Sequence, residues 1–119
     1  MEQPYDIELK IKTVCKELVL QLRGNNGGDG NALVDRDLIE ALHECLNIYE
    51  VTVCDDKMVS KEIVAILIYT CSRFYHQSKY SKNSDELLKE FDKLYGKLFD
   101  VFGLIDLHNG DESTAVEPL

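Results

Sequence analysis

IVAILIY, residues 63–69, is the stretch on which the fold turns. A run that is apolar all round fits either a buried strand or the most buried helix of a bundle, and has no periodicity of its own to separate the two. Its flanks decide. Val59, Ile63, Ile66, Leu67, Thr70, Cys71 and Phe74 follow helical spacing, so the run sits inside an amphipathic helix predicted over about residues 56–80. Asp55 is its candidate N-cap. Nothing nearby supplies a second strand: VTVC, residues 51–54, is rich in β-branched residues but short and alone, and reads as a helix end and a loop.

Three more helices surround this one. Ile7, Ile11, Val14, Leu18 and Leu22 recur every three or four residues over about 5–23, and Gly24 stops that helix. Leu38, Leu42, Cys45 and Tyr49 form one face over 36–50, with Asp35 placed to accept the free amide hydrogens of the first turn. Leu87, Leu88, Phe91, Leu94, Tyr95, Leu98 and Phe102 make the cleanest amphipathic stripe, over 84–102. There Asn83 and Glu86 resemble a capping box, and Gly103 reads as the stop. Gly96, inside that helix, costs about 1 kcal/mol relative to Ala and marks an expected close helix crossing. The glycine-rich stretch GNNGGDGN, residues 24–31, reads as a flexible linker. No proline interrupts residues 5–117. The expected fold is therefore all-α: an antiparallel four-helix bundle over residues 1–107, followed by a flexible acidic tail, 108–119.

The 119 residues suit one domain, and a 45% apolar content suits one core. The net charge of −9 argues against nucleic acid and anionic lipid as partners, since both are bound through Lys and Arg. The N-terminus, MEQPYDIELK, lacks the apolar stretch of a secretory signal, and Ile63–Tyr69 is far short of the roughly 20 residues that span a bilayer. Cys15, Cys45, Cys54 and Cys71 contain no C-x-x-C pair and read as free thiols in a reducing compartment. A cytoplasmic protein without direct membrane insertion is expected.

The residues that usually carry catalysis are not arranged for it. His43, Glu44 and Cys45 are adjacent and face different ways on a helix, so they do not form a metal site. Asp55 and Asp56 beside Cys54 would raise the thiol pKa and blunt its nucleophilicity, so helix capping explains them better. The glycine loop lacks the Gly-Lys-Ser/Thr of a phosphate loop and the alternating acids of a calcium loop. No catalytic residue, metal or cofactor is expected, and the chain reads as a binding protein. One segment runs against the acidic balance. RFYHQSKYSK, residues 73–82, carries Arg73, Lys79 and Lys82 with no acid, interleaved with Phe74, Tyr75 and Tyr80. It suits either a favourable end to the third helix or a contact patch, since Arg and Tyr are enriched in binding hot spots.

The order of these pieces resembles the immunity proteins of class II (pediocin-like) bacteriocins, of the enterocin A immunity type. The resemblance runs over about residues 8–107, through LQLRG, DLIEALHECLNIY, VSKEIVAILIYTCSRF and the capped NSDELLKEFDKLYGKL. Ile68-Tyr69-Thr70-Cys71 and the 73–82 turn stand where that family has an aromatic in a long apolar helix, then a small-residue step and a basic turn. The chain departs from it in His76-Gln77-Ser78-Lys79 before the fourth helix and Phe102-Gly103-Leu104 after it. The resemblance implies a small cytosolic four-helix bundle that protects a producer cell from its own peptide. The implied partner is the membrane part of a mannose phosphotransferase transporter with the bacteriocin bound. The implied contact residues are Arg73, Tyr75, Lys79, Tyr80 and Lys82 of the turn, with Leu107 and His108 of the tail. The rival expectation is a small acidic helical adaptor, or a phage-type inhibitor that binds a host protein.

Overall fold

A computed structural model describes residues 4–24 and 26–103. The proposed boundary at 107, the acidic tail, and Leu107 and His108 lie outside the described residues. Four helices account for most of what is described: α1 (Pro4–Leu22), α2 (Arg36–Thr52), α3 (Lys61–Ser78) and α4 (Ser84–Phe102). The fold is all-α, as the periodicity of the four segments requires.

Most of each stripe read from the sequence faces inward, whereas Val59, Leu88 and Tyr95 are exposed. Ile7, Ile11, Leu18 and Leu22 of α1, Leu42, Leu46 and Tyr49 of α2, Ile63 and Leu67 of α3, and Leu87 and Leu94 of α4 are all fully buried. Each such side chain contributes roughly 1.5–3 kcal/mol relative to remaining exposed. Cys15, Cys45 and Cys71 fill the core as small apolar groups, whereas Cys54 is exposed; all four are free thiols. Burial pushes the Cys15 and Cys71 thiols up to about 11, so neither is a thiolate near neutral pH.

Side-chain pairings give the directions of the helices. Tyr49 faces Glu8 while Cys45 faces Cys15, so α1 and α2 run antiparallel. Tyr75 packs on Phe91 while Val64 and Phe102 line one groove, so α3 and α4 are antiparallel too. Lys12 reaches Glu62 at 3.0 Å and Cys15 meets Thr70, so α1 runs parallel to α3. Arg36 pairs with Glu86 (2.6 Å) and Glu90, and Glu50 with Lys97 (2.8 Å), so α2 runs parallel to α4. Two antiparallel hairpins therefore lie side by side, with α1 on α3 and α2 on α4. Residues 53–60 carry the chain across the diagonal.

That crossing explains one departure from expectation. α3 begins at Lys61, capped by Ser60, whose side chain accepts from the Ile63 amide at 3.4 Å; Asp55 does not cap it. Residues 55–60 are spent on the diagonal and stay outside the helix, with Met58 85% exposed. At α2 the expectation holds: Asp35 Oδ1 accepts from the Leu38 amide at 3.1 Å. Gly103, in the left-handed region at φ 67°, closes α4 and donates its amide to Phe99 O.

The glycine-rich loop is pinned at several points. Gly27 donates to Asn31 O at 2.9 Å, Asn31 to Gly28 O at 3.0 Å, and Lys82 donates its amide to Gly30 O at 2.8 Å. Gly30 has φ +89°, and an added Cβ would sit 3.1 Å from the Lys82 side chain, so only glycine fits without displacement. Asn83 holds the same junction: its Oδ1 accepts from the Ala32 amide (2.9 Å) and its Nδ2 donates to Ala32 O (3.0 Å). The capping-box reading of Asn83 is thus corrected. Its side chain makes no cap hydrogen bond and pairs instead with backbone 51 residues earlier. Glu86 accepts from Asn83 Nδ2 at 3.2 Å and turns its other oxygen to Arg36.

Candidate functional site

The all-round apolar character of residues 63–69 has a different origin from deep burial. Ile63 and Leu67 face the core, but Ile68 is 58% and Tyr69 49% exposed. Tyr69 turns toward α1, where it lines a furrow with Leu9 and Ile66, and Ile68 belongs to a second apolar face of α3 beside α4. A groove of about 520 Å³ opens along this second face. Val64, Ile68, Cys71 and Ser72 line it from α3; Phe91, Tyr95, Leu98, Phe99 and Phe102 line it from α4. These positions recur every three or four residues on each helix, so two rows of side chains run along one open furrow.

Aromatic rings continue the groove toward the α3 C-terminus. Tyr75 and Phe91 lie 5.3 Å apart between ring centres, Phe91 and Tyr95 5.5 Å and nearly parallel, and Tyr95 and Phe99 5.1 Å edge to face. Tyr75 and Tyr95 are both nearly half exposed. Lys79 Nζ stands 5.0 Å over the Tyr75 ring, putting a cation at the end of the ladder. Cys71 forms part of the floor and donates to Phe91 O at 4.0 Å. Its thiol is raised first by burial and then by the charge of Asp92, so it serves as surface and not as a nucleophile. The exposed apolar side chains here are contiguous, unlike the singly scattered ones that are ordinary on a protein surface.

The basic segment read from the sequence is divided by the fold. Tyr75 and Lys79 join the groove. Tyr80, 71% exposed, pairs with His76 at 5.2 Å between ring centres and not with a ring of the ladder. Arg73 is half-buried on α3, two residues from Tyr75 and hence on a different face. Lys82 is bound to the glycine loop through its backbone and its aliphatic stem. Phe91 and Tyr95, read from the sequence as core, and Phe99, not named there, are the aromatic groove residues that no site reading included. The available signal was the width of the α4 stripe, which is broader than one core-facing side needs.

Gly96 proves to mark no crossing inside the bundle, since a Cβ built there meets nothing within 4 Å. It is exposed, on the solvent side of α4 next to Tyr95.

The opposite edge of α4 is closed by charge. Arg36 bridges Glu86 and the fully buried Glu90, and Lys93 lies 3.4 Å from Glu90. Arg36 holds the Glu86 carboxyl below its ordinary range. His43 is half-buried nearby, held below its usual value first by burial and then by Lys93, with Glu90 acting in the opposite direction. Among the described residues no group of three or more His, Cys, Asp and Glu side chains is placed to hold a metal ion. No described helix is long and apolar enough to cross a membrane. Compared with family models, with curated proteins and with solved structures, the chain matches none.

Proposed function

We propose that the chain acts by binding a protein partner through the α3/α4 face, and that its role is bacteriocin immunity. The observation that carries the binding role is the open groove, with its aromatic ladder and terminal lysine. Large apolar and aromatic groups beside one cation are the composition of binding hot spots. The immunity reading draws on the resemblance of the sequence to the enterocin A immunity type, and the all-α fold of four helices agrees with it. On this reading the protein works in the cytoplasm without catalysis. It engages the membrane components of a mannose phosphotransferase transporter with the peptide bound, and so protects the producer.

The test is protection. A sensitive cell expressing the chain is challenged with a panel of pediocin-like peptides, beside cells expressing Ile68→Glu or Tyr95→Glu. Both side chains are about half exposed, so the fold should lose no more than about 0.5–1 kcal/mol. Wild-type expression is expected to protect against at least one peptide, and both variants to lose protection at unchanged helicity. Absence of protection across the panel removes the immunity role. The same face then belongs to the rival class, an acidic helical adaptor or phage-type inhibitor of a host protein.

A further inference from the structure

The α3/α4 groove has a shape and a charge pattern that describe what fills it; the inference rests on the partner-binding reading above and names the partner's chemistry. From Phe91 to Phe102 the α4 row covers twelve residues, eleven rises of about 1.5 Å or about 16 Å, three helical turns. Two rows of side chains with an apolar furrow between them form the surface into which a further helix packs. The edges of the furrow carry opposite charge. Positions 61, 68, 72 and 79 follow one stripe of α3, and place exposed Lys61 and Lys79 at its two ends. Positions 85, 88, 92, 95 and 99 follow one stripe of α4, and place exposed Asp85 and Asp92 beside Leu88 and Tyr95. None of these four charges forms an ion pair among the described residues.

We propose that this groove docks an amphipathic helix of the partner protein, about three turns long, with acidic residues on its flank toward α3 and basic residues on its flank toward α4. The chain's own residues 104–119 fit this description poorly. They contain no Lys or Arg to set against Asp85 and Asp92, and beyond Leu107 their next large aliphatic residue is Val116. A second copy fits poorly as well, because each chain brings a net charge of −9.

The probes are three synthetic helical peptides sharing one leucine face and differing only in their flanks: Glu on one side and Lys on the other, Lys on both, or Glu on both. Binding to the full chain is read by fluorescence anisotropy at about 0.15 M salt, where contacts beyond about 8 Å are screened. The Glu/Lys peptide is expected to bind tightest, about tenfold tighter than the Glu/Glu peptide. In Asp85→Lys/Asp92→Lys the order should change, with Glu/Glu binding tightest. Tyr95→Glu should abolish binding of all three. Equal affinities, no binding, or an order unmoved by the charge reversal overturns the proposal. So does a dimer in sedimentation that Tyr95→Glu dissolves, which would assign the face to a second copy. Protection of cells without flank-specific binding sinks this inference and leaves the immunity role standing; flank-specific binding without protection does the reverse.

Discussion

Replacing Asn83 separates its two possible roles at the start of α4. Its backbone stands at the N-cap position, yet its side chain makes no cap hydrogen bond and instead pairs with both backbone polar groups of Ala32, a residue only 3% exposed. Asn83→Ala leaves that N–H and that C=O without partners, and each unsatisfied buried group costs about 1–3 kcal/mol. A total loss of about 2–4 kcal/mol is expected, or a fall in melting temperature of about 10 °C for a chain of this size. Asn83→Ser gives the decisive comparison. Ser ranks with Asn as an N-cap, so a capping role predicts almost no loss. Its short hydroxyl cannot span both groups of Ala32, so the clamp predicts a loss close to that of Ala. Thermal and urea melts of the three proteins, with hydrogen exchange at the Ala32 amide, check this. If Asn83→Ser melts with wild type and keeps that amide protected, the clamp is refuted and the capping box restored.

Gly96→Ala should stabilise the protein by about 0.5–1 kcal/mol, because the new methyl meets nothing and the unfolded chain loses freedom; a destabilised variant in urea melts would contradict the open placement of Gly96. His43 predicts a dependence on pH. Its folded-state pKa lies below the ordinary 6.5, so as pH falls the unfolded chain takes up the proton first. The contribution is whole above about pH 6.5 and is lost as pH falls through the depressed folded value. His43→Gln should therefore narrow the gap between melting temperatures at about pH 7.5 and about pH 5.5, while an unchanged gap would place the slope elsewhere. Glu86, held low chiefly by Arg36, acts in a separate window, with its contribution present above its ordinary 4.5 and lost below it.

Helix periodicity was readable because it is local. Most positions that repeat every three or four residues on each segment are in the core, Val59, Leu88 and Tyr95 excepted, and Gly24, Asp35 and Gly103 act as the stop and cap signals they resemble. What escaped the sequence depends on contacts between distant segments. Asn83 looks like a cap until Ala32 is brought beside it. Glu90 looks like an ordinary surface residue of a helix, but is fully buried against Arg36 from a helix 54 residues earlier. Asp55 lost the start of α3 to Ser60 because the chain had a diagonal to cross, which no local pattern encodes. The groove was partly legible. Tyr75 and Lys79 stood out by charge and type, whereas Phe91 and Tyr95 were hidden in a stripe assigned wholly to the core.

The two sides of α4 differ in a way that bears on which of them meets a partner. Toward α2, the seam is strapped by long charged side chains: Arg36 to Glu86 and Glu90, and Lys97 to Glu50. The seam between α1 and α3 has a strap of the same kind in Lys12 and Glu62. Along α2/α4 the Arg36 and Lys97 stems lie over the seam, with Glu90 buried beneath; along α1/α3 the furrow beside Leu9, Ile66 and Tyr69 stays open but is edged by Lys12, Lys16 and Glu62. Along the α3/α4 groove the lining residues are aromatic, aliphatic or small, and none is charged. An uncovered apolar furrow favours self-association, and a net charge of −9 opposes it by keeping copies apart. The acidic balance and the open groove are thus complementary. On the proposed docking, charge repulsion from other copies leaves the furrow available for a helix whose flanks satisfy Lys61 and Lys79 on one edge and Asp85 and Asp92 on the other.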